Sequence, residues 1–186
     1  VIKVEAPSGY GLDNRFMYAL NKFENFKRPC GGGDIAACEN VKRVILNWAK
    51  ADAAQRTGPS DGEGRHWNDT LTVNLWVASP MMAGYSFAKQ IIKVPDNEDK
   101  LIKDWFERIV KKNKHLMYGM TYKQGTQAIG VPKRAHNHAL SSAIAHMELG
   151  ILLNDNIQFR KAFKNYEAAI KYQRGDGSLP IETRRG

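Results

Sequence analysis

Cysteine is scarce: Cys30 and Cys38 are the only two in 186 residues. Their spacing excludes a C-x-x-C metal or redox site. It fits a small disulfide-closed loop in an exported protein, and it fits two buried free thiols equally well. Long apolar runs are missing too. No stretch approaches the roughly 18 residues a membrane-spanning helix needs, so none is expected. Val1-Ile2-Lys3-Val4 lacks the apolar core of a secretory signal, and Val1 is not an initiator Met. The chain therefore reads as processed, trimmed or taken from a longer coding sequence. Acidic residues are in deficit, 19 against 28 basic ones, for a formal charge of +9. That balance favours an acidic partner, whether nucleic acid, anionic lipid or acidic polysaccharide. No zinc-finger pattern, RNP-like strand or heptad-plus-basic region is present. Charge alone does not choose among the three, and Lys111-Lys112-Asn113-Lys114 reads as an ordinary solvated face.

What is present is helical. Composition is that of a globular protein, 42% hydrophobic and 25% charged, long enough for one domain with a sizeable core, 1–186. Asp13 or Asn14 caps a predicted helix over 15–26, with Phe16, Leu20 and Phe23 on one face; Arg28-Pro29-Cys30 and three glycines end it. Asp34 is a good cap for a helix reaching about Arg56 on the stripe Val41, Val44, Ile45, Trp48. Residues 69–93 read as helix kinked or divided at Pro80, with Leu71, Leu75, Met82, Phe87, Ile91 and Ile92 as core. Asp96 or Asn97 caps a strongly amphipathic helix over 98–116 through Leu101, Ile102, Trp105, Phe106, Ile109 and Val110. Residues 117–132 are glycine-rich and irregular, as are residues 1–13. A helix over 135–153 follows on Leu140, Ile144, Met147 and Ile151, with Ala143 and Leu152 beside them. Asn154-Asp155-Asn156 breaks it, and a partner runs through Phe159, Phe163, Tyr166 and Ile170 to about Gln173. Strand signal is slight.

Three stretches carry functional groups. Residues 57–68 form a predicted loop long enough to be functional, containing Arg65, His66 and Trp67 beside flexible glycines. The Trp suits stacking on a sugar ring, or simply anchors the next helix. Asn137 and His138 stand at the mouth of one helix, and Arg185 lies just after its antiparallel partner. A hairpin returns its far end to its starting level, so the three can share one end. An amide, an imidazole and a guanidinium suit a carboxylate whose charge must be neutralised while a proton leaves the adjacent carbon. Singly, each has a plainer use: a cap, a satisfied polar contact, a solvated charge. His136 points away from Asn137 along the helix, His115 suits a helix end, and His146 reads as a core histidine. No cluster has metal-ligand spacing.

Asn137-His138 at a helix start, followed by Arg185 within Leu179-Pro180-Ile181-Glu182-Thr183-Arg184-Arg185-Gly186, resembles the alginate lyases, the poly(mannuronate) lyases that fold as an α/α toroid. The match is most specific over 133–186. The L-P-x-E-x-x-R-G segment selects Arg185 rather than Arg184. The resemblance implies an all-α chain of antiparallel hairpins supplying part of a toroid, and an enzyme that cleaves 1→4-linked uronates by β-elimination. Asn137, His138 and Arg185 would neutralise the uronate carboxylate, and Glu182 would order the loop presenting Arg185. The family's catalytic Tyr, which would be base and acid, lies a few residues beyond the R-G, past Gly186, so residues 1–186 alone are expected to show little or no lyase activity. Arg65, His66, Trp67, Arg134 and Glu182 are expected to bind substrate. No metal or cofactor is expected. The expected partner is alginate, with no nucleic acid and no membrane, in the periplasm or outside the cell. A non-catalytic binder of acidic glycan, a lyase on another polyuronate, and a basic nucleic-acid module stand as alternatives.

Overall fold

A computed structural model describes residues 14–53, 65–112 and 137–178, with backbone alone for 14–20, 65–76, 112 and 137–139. Among the described residues there are six helices and no strand: α1 (Asn14–Gly31), α2 (Ile35–Lys50), α3 (Arg65–Ile91), α4 (Asp96–Lys112), α5 (Asn137–Leu153) and α6 (Asn156–Ile170). The chain divides into two units, Val1–Ile109 and Val110–Gly186. None of the described helices is long and apolar enough to cross a membrane.

In the first unit, α1 and α2 form a hairpin whose turn is fully hydrogen-bonded. The Asp34 N–H donates to Pro29 O at 3.1 Å and the Gly33 N–H to Cys30 O at 2.9 Å. Gly33 has φ of +95°. This is a Schellman ending, which satisfies the last carbonyls of a helix around one left-handed residue. Asp34 then caps α2 by accepting the Ala37 N–H at 3.0 Å. Cys30 and Cys38 are joined as a disulfide across this turn, so of the two pairings the sequence allows, the bond is the one adopted. The helix predicted to stop near Phe26 continues to Gly31. Pro29 sits in the last turn and removes one donor, while Gly32, Gly33 and Asp34 supply others to the carbonyls of Arg28, Pro29 and Cys30.

Helix α2 ends at Lys50, short of the expected Arg56, because Asp52 takes a left-handed φ of +46°. The Asp52 N–H reaches Ala49 O at 3.1 Å and the Ala53 N–H reaches Trp48 O at 3.0 Å, a second Schellman ending. Helix α4 holds this corner from outside: Trp105 Nε1 donates to Ala53 O at 2.9 Å and Arg108 Nη2 to Asp52 Oδ1 at 2.9 Å. The predicted stripe of α2 is buried at Val41 and Ile45 and half-buried at Val44 and Trp48.

Pro80 does not divide α3, which runs unbroken from Arg65 to Ile91. An interior proline costs ~3 kcal/mol. Val77, Met81, Met82 and Tyr85 flank it and are fully buried, and each large apolar side chain buried contributes about 1.5–3 kcal/mol. Packing wins. Of the expected core positions Met82 and Ile92 are buried, whereas Phe87 and Ile91 are exposed; they lie off the face made by 77, 81, 85 and 88. The side chains of Leu71, Leu75, Phe16 and Leu20 are outside the described residues. Gly84 lets α1 approach, since a Cβ there would stand 2.9 Å from Phe23 Cζ. Helix α4 starts at Asp96, with Asp96, Glu98 and Asp99 in the first turn, where negative charge is favoured. Its stripe is buried as expected at Ile102, Trp105, Phe106, Ile109 and Val110.

In the second unit, α5 and α6 form a hairpin with the same turn chemistry as α1 and α2. The Asp155 N–H donates to Gly150 O at 2.8 Å and the Asn154 N–H to Ile151 O at 3.1 Å, with Asn154 at φ +57°. Asp155 then caps α6, accepting from Ile157 N and Gln158 N. The face that packs differs from the expected one. Ile151 is 62% exposed and Phe163 is 42% exposed, while Ser142, Ala143, Ala145, Leu149, Ala162 and Ala169 are buried. Small side chains let the helices close on each other. Ala143 and Ala162 form a core edged by Met147 and Tyr166, and a Cβ on Gly150 would lie 2.9 Å from Phe159 N. The bulky residues that set the periodicity are pushed to the rim.

Candidate functional site

Helix α5 places Asn137 and His138 in its first turn. The first N–H groups of an α-helix have no intrahelical partner and its N-terminus is partly positive, an environment that favours a carboxylate. Helix α6 runs back alongside and ends at Ile170. At ~1.5 Å per residue, its C-terminus returns to about the level of Asn137. The chain there enters an ordered turn. The Gly177 N–H donates to Arg174 O at 2.9 Å and the Arg174 N–H to Ser178 O at 2.9 Å, while Asp176 Oδ1 accepts the Ser178 N–H at 2.9 Å. The C-terminal loop thus departs from the end of the hairpin that carries Asn137 and His138. Their side chains, and Arg134, Glu182 and Arg185 altogether, lie outside the described residues.

Arg65, His66 and Trp67 belong to the first unit, where the backbone differs from the predicted loop. They form the first turn of α3. After Gly64 no Gly or Pro occurs before Pro80, so nothing stops the helix from starting there. The loop is shortened at that end; residues 54–64 and the three side chains lie outside the described residues.

Two polar features were not anticipated from sequence. One is a cluster on α3 and α4: Asp99 accepts from the Tyr85 hydroxyl at 2.7 Å and pairs with Lys89 at 2.7 Å and Lys103 at 2.8 Å. Burial, then the bond to Asp99, pushes the Tyr85 phenol far above its usual range, so it stays protonated. Burial by itself would raise Asp99, but hydrogen bonds from Lys103, Lys89 and Tyr85 outweigh it and hold the carboxyl below its ordinary range. A phenol that does not ionise is a poor proton acceptor. The cluster is a strut between α3 and α4. The second feature is Ser142 on α5, which is fully buried. His146 is buried, as its apolar surroundings suggested, and its carbonyl accepts from Gln158 Nε2 at 3.3 Å. No sequence signal marks Ser142, whose neighbours Ser141 and Ala143 look equivalent to it.

Among the described residues no three His, Cys, Asp or Glu side chains gather as metal ligands.

A family model described as "Alginate lyase" matches residues 33–186. No curated protein and no solved structure matches the chain. The match starts at Gly33, the left-handed residue before the α2 cap, and takes in both units from there. It supports polysaccharide lyase activity in general and implies an acidic polysaccharide substrate. With the greater part of its length inside that match, this all-helical chain belongs to the alginate lyase family.

Proposed function

We propose that the protein cleaves alginate at 1→4 mannuronate linkages by β-elimination, leaving an unsaturated uronate end. The observation that carries this reading is the family match over 33–186 together with the placing of Asn137 and His138 in the first turn of α5. The C5 proton of a uronate is weakly acidic, and the neighbouring carboxylate charge opposes formation of the carbanion. Asn137, His138 and Arg185 neutralise that charge as it develops. A base then takes the C5 proton, and an acid protonates the departing glycosidic oxygen. Arg65, His66, Trp67, Arg134 and Glu182 serve substrate binding. The hairpins belong to an α/α toroid. The Cys30–Cys38 bond supports a place in the periplasm or outside the cell, where disulfides persist.

Oligomannuronate incubated with the purified protein tests this reading. With a product of the gene long enough to carry the Tyr that the resemblance implies, a rise in ultraviolet absorbance from the new C4–C5 double bond is expected, abolished in His138→Ala. Retarded migration in an alginate-containing gel without that absorbance would replace the lyase with a glycan-binding protein. Retention on DNA but not on alginate would overturn both.

A further inference from the structure

Helix α6 is the solvent-facing member of its hairpin: along it only Ala162 and Ala169 are buried. Its outer side carries Arg160, Lys161 and Lys164, followed at the C-cap by Lys171, all exposed. Among the described residues none of the four has an ion-pair partner. The first unit uses its cations differently, since Lys27, Lys42, Lys89, Lys100, Lys103 and Arg108 each meet a carboxylate. Glu167 is the one acidic residue on α6, and Asp155 and Asp176 at its two ends are engaged by backbone N–H groups. Arg160, Lys164 and Lys171 fall in one row about 16 Å long. Phe163, 42% exposed, and Ile170 flank that row, and the Phe163 ring lies parallel to Phe159 with centroids 6.1 Å apart.

We propose that this face of α6 is a second binding surface for the polyuronate, outside the group made by Asn137, His138 and Arg185. A 1→4 polyuronate carries one carboxylate per sugar, with apolar C–H faces between, which suits spaced cations beside an exposed ring. A DNA duplex carries a charge about every 1.7 Å, denser than this row, and Glu167 within the row opposes it. A lipid surface needs a broad apolar face to enter, and the neighbouring Phe159 and Tyr166 are already half-buried. The inference rests on the reading that the partner is a polyuronate. Because α5 and α6 form one hairpin, a polymer held on α6 stays near the mouth of α5, and two weak contacts add as avidity.

Calorimetric titration of the 186-residue chain at about 0.15 M salt tests this, with a mannuronate dimer and with long polymannuronate. Arg160→Ala, Lys164→Ala and Lys171→Ala together should weaken polymer binding by roughly tenfold or more. The same triple variant should keep the dimer affinity and the circular dichroism melting curve of the native chain. Replacing the exposed Arg28, Lys50 and Lys93 by alanine removes as much charge and should cost less than about twofold. Glu167→Gln should tighten polymer binding by roughly two- to fivefold. Equal losses in the two triple variants would overturn the proposal. So would an α6 variant that keeps the polymer but loses phosphatidylglycerol vesicles or duplex DNA. The dimer reads the other site separately. Dimer binding indifferent to Arg185→Ala, with polymer binding lost in the α6 variant, would defeat the proposed catalytic group and uphold this surface. Dimer binding lost in Arg185→Ala, with polymer binding unchanged in the α6 variant, would defeat this inference alone.

Discussion

Two residues carry consequences out of proportion to their size. Gly150 faces the start of α6, and a Cβ would meet the backbone and Cβ of Phe159 and the carbonyl of Asp155 at 2.9–3.1 Å. Backbone does not move aside as a flexible side chain does, so Gly150→Ala should destabilise by about 1–3 kcal/mol, despite the better helix propensity of alanine. Urea denaturation checks this, and an unchanged midpoint would mean the hairpin has slack. Asp99 makes the second case. Its folded pKa is depressed by its three donors, so its contribution is complete above the unfolded value and is lost as pH falls through the folded one. Lys103 is raised mainly by the same bond, and its contribution is present below the unfolded lysine value and fades only as pH climbs through the folded one. Asp99→Asn should therefore flatten the acid limb of the stability curve, below about pH 4. An unaltered acid limb would show the strut to be energetically idle. None of this was legible in sequence: Tyr85, Lys89, Asp99 and Lys103 are spread over two helices, and only their packing makes them one group.

At the scale of the element, the start of α2 was legible and its end was not. Asp34 was read as a cap and acts as one, because a short acceptor before an amphipathic stretch satisfies a free N–H locally. The stop of α2 at Lys50 depends on Asp52 taking a left-handed conformation that asparagine and aspartate tolerate but do not announce, and on Trp105 and Arg108 gripping the corner from α4. The α1–α2 turn is further closed by the Cys30–Cys38 bond. Cross-linking so short a loop stabilises by about 2–3 kcal/mol in the chain-entropy description. Reduction with dithiothreitol should lower the thermal midpoint by an amount matching that of Cys30→Ser with Cys38→Ser. Equal midpoints with and without reductant would place the disulfide outside the stabilising contacts.

At the scale of the whole molecule, the charge of +9 and the alginate lyase match point to one partner class. Binding to oligomannuronate should weaken as salt rises from about 0.05 to 0.5 M, because exposed charges are screened. Arg185→Ala should weaken it tenfold or more, and the exposed Lys50→Ala by less than twofold; calorimetric titration measures both. Equal losses would reduce Arg185 to one charge among many.

Composition and periodicity by themselves determined the all-helical class, most helix positions and the burial of the α4 stripe, because one amphipathic face is a local property of consecutive residues. The motif from Asn137 to Gly186 determined the family in the same way, as chemistry written in order along the chain. Tertiary structure alone decided which face of α5 meets α6. Apolar bulk predicted Ile151 and Phe163 inside, yet glycine, alanine and serine are buried instead, since close approach of two helices selects for the absence of side chain, which hydrophobic periodicity does not register. It decided likewise that Pro80 is carried within α3. In each case packing energy gathered from distant residues exceeded a local preference of the backbone.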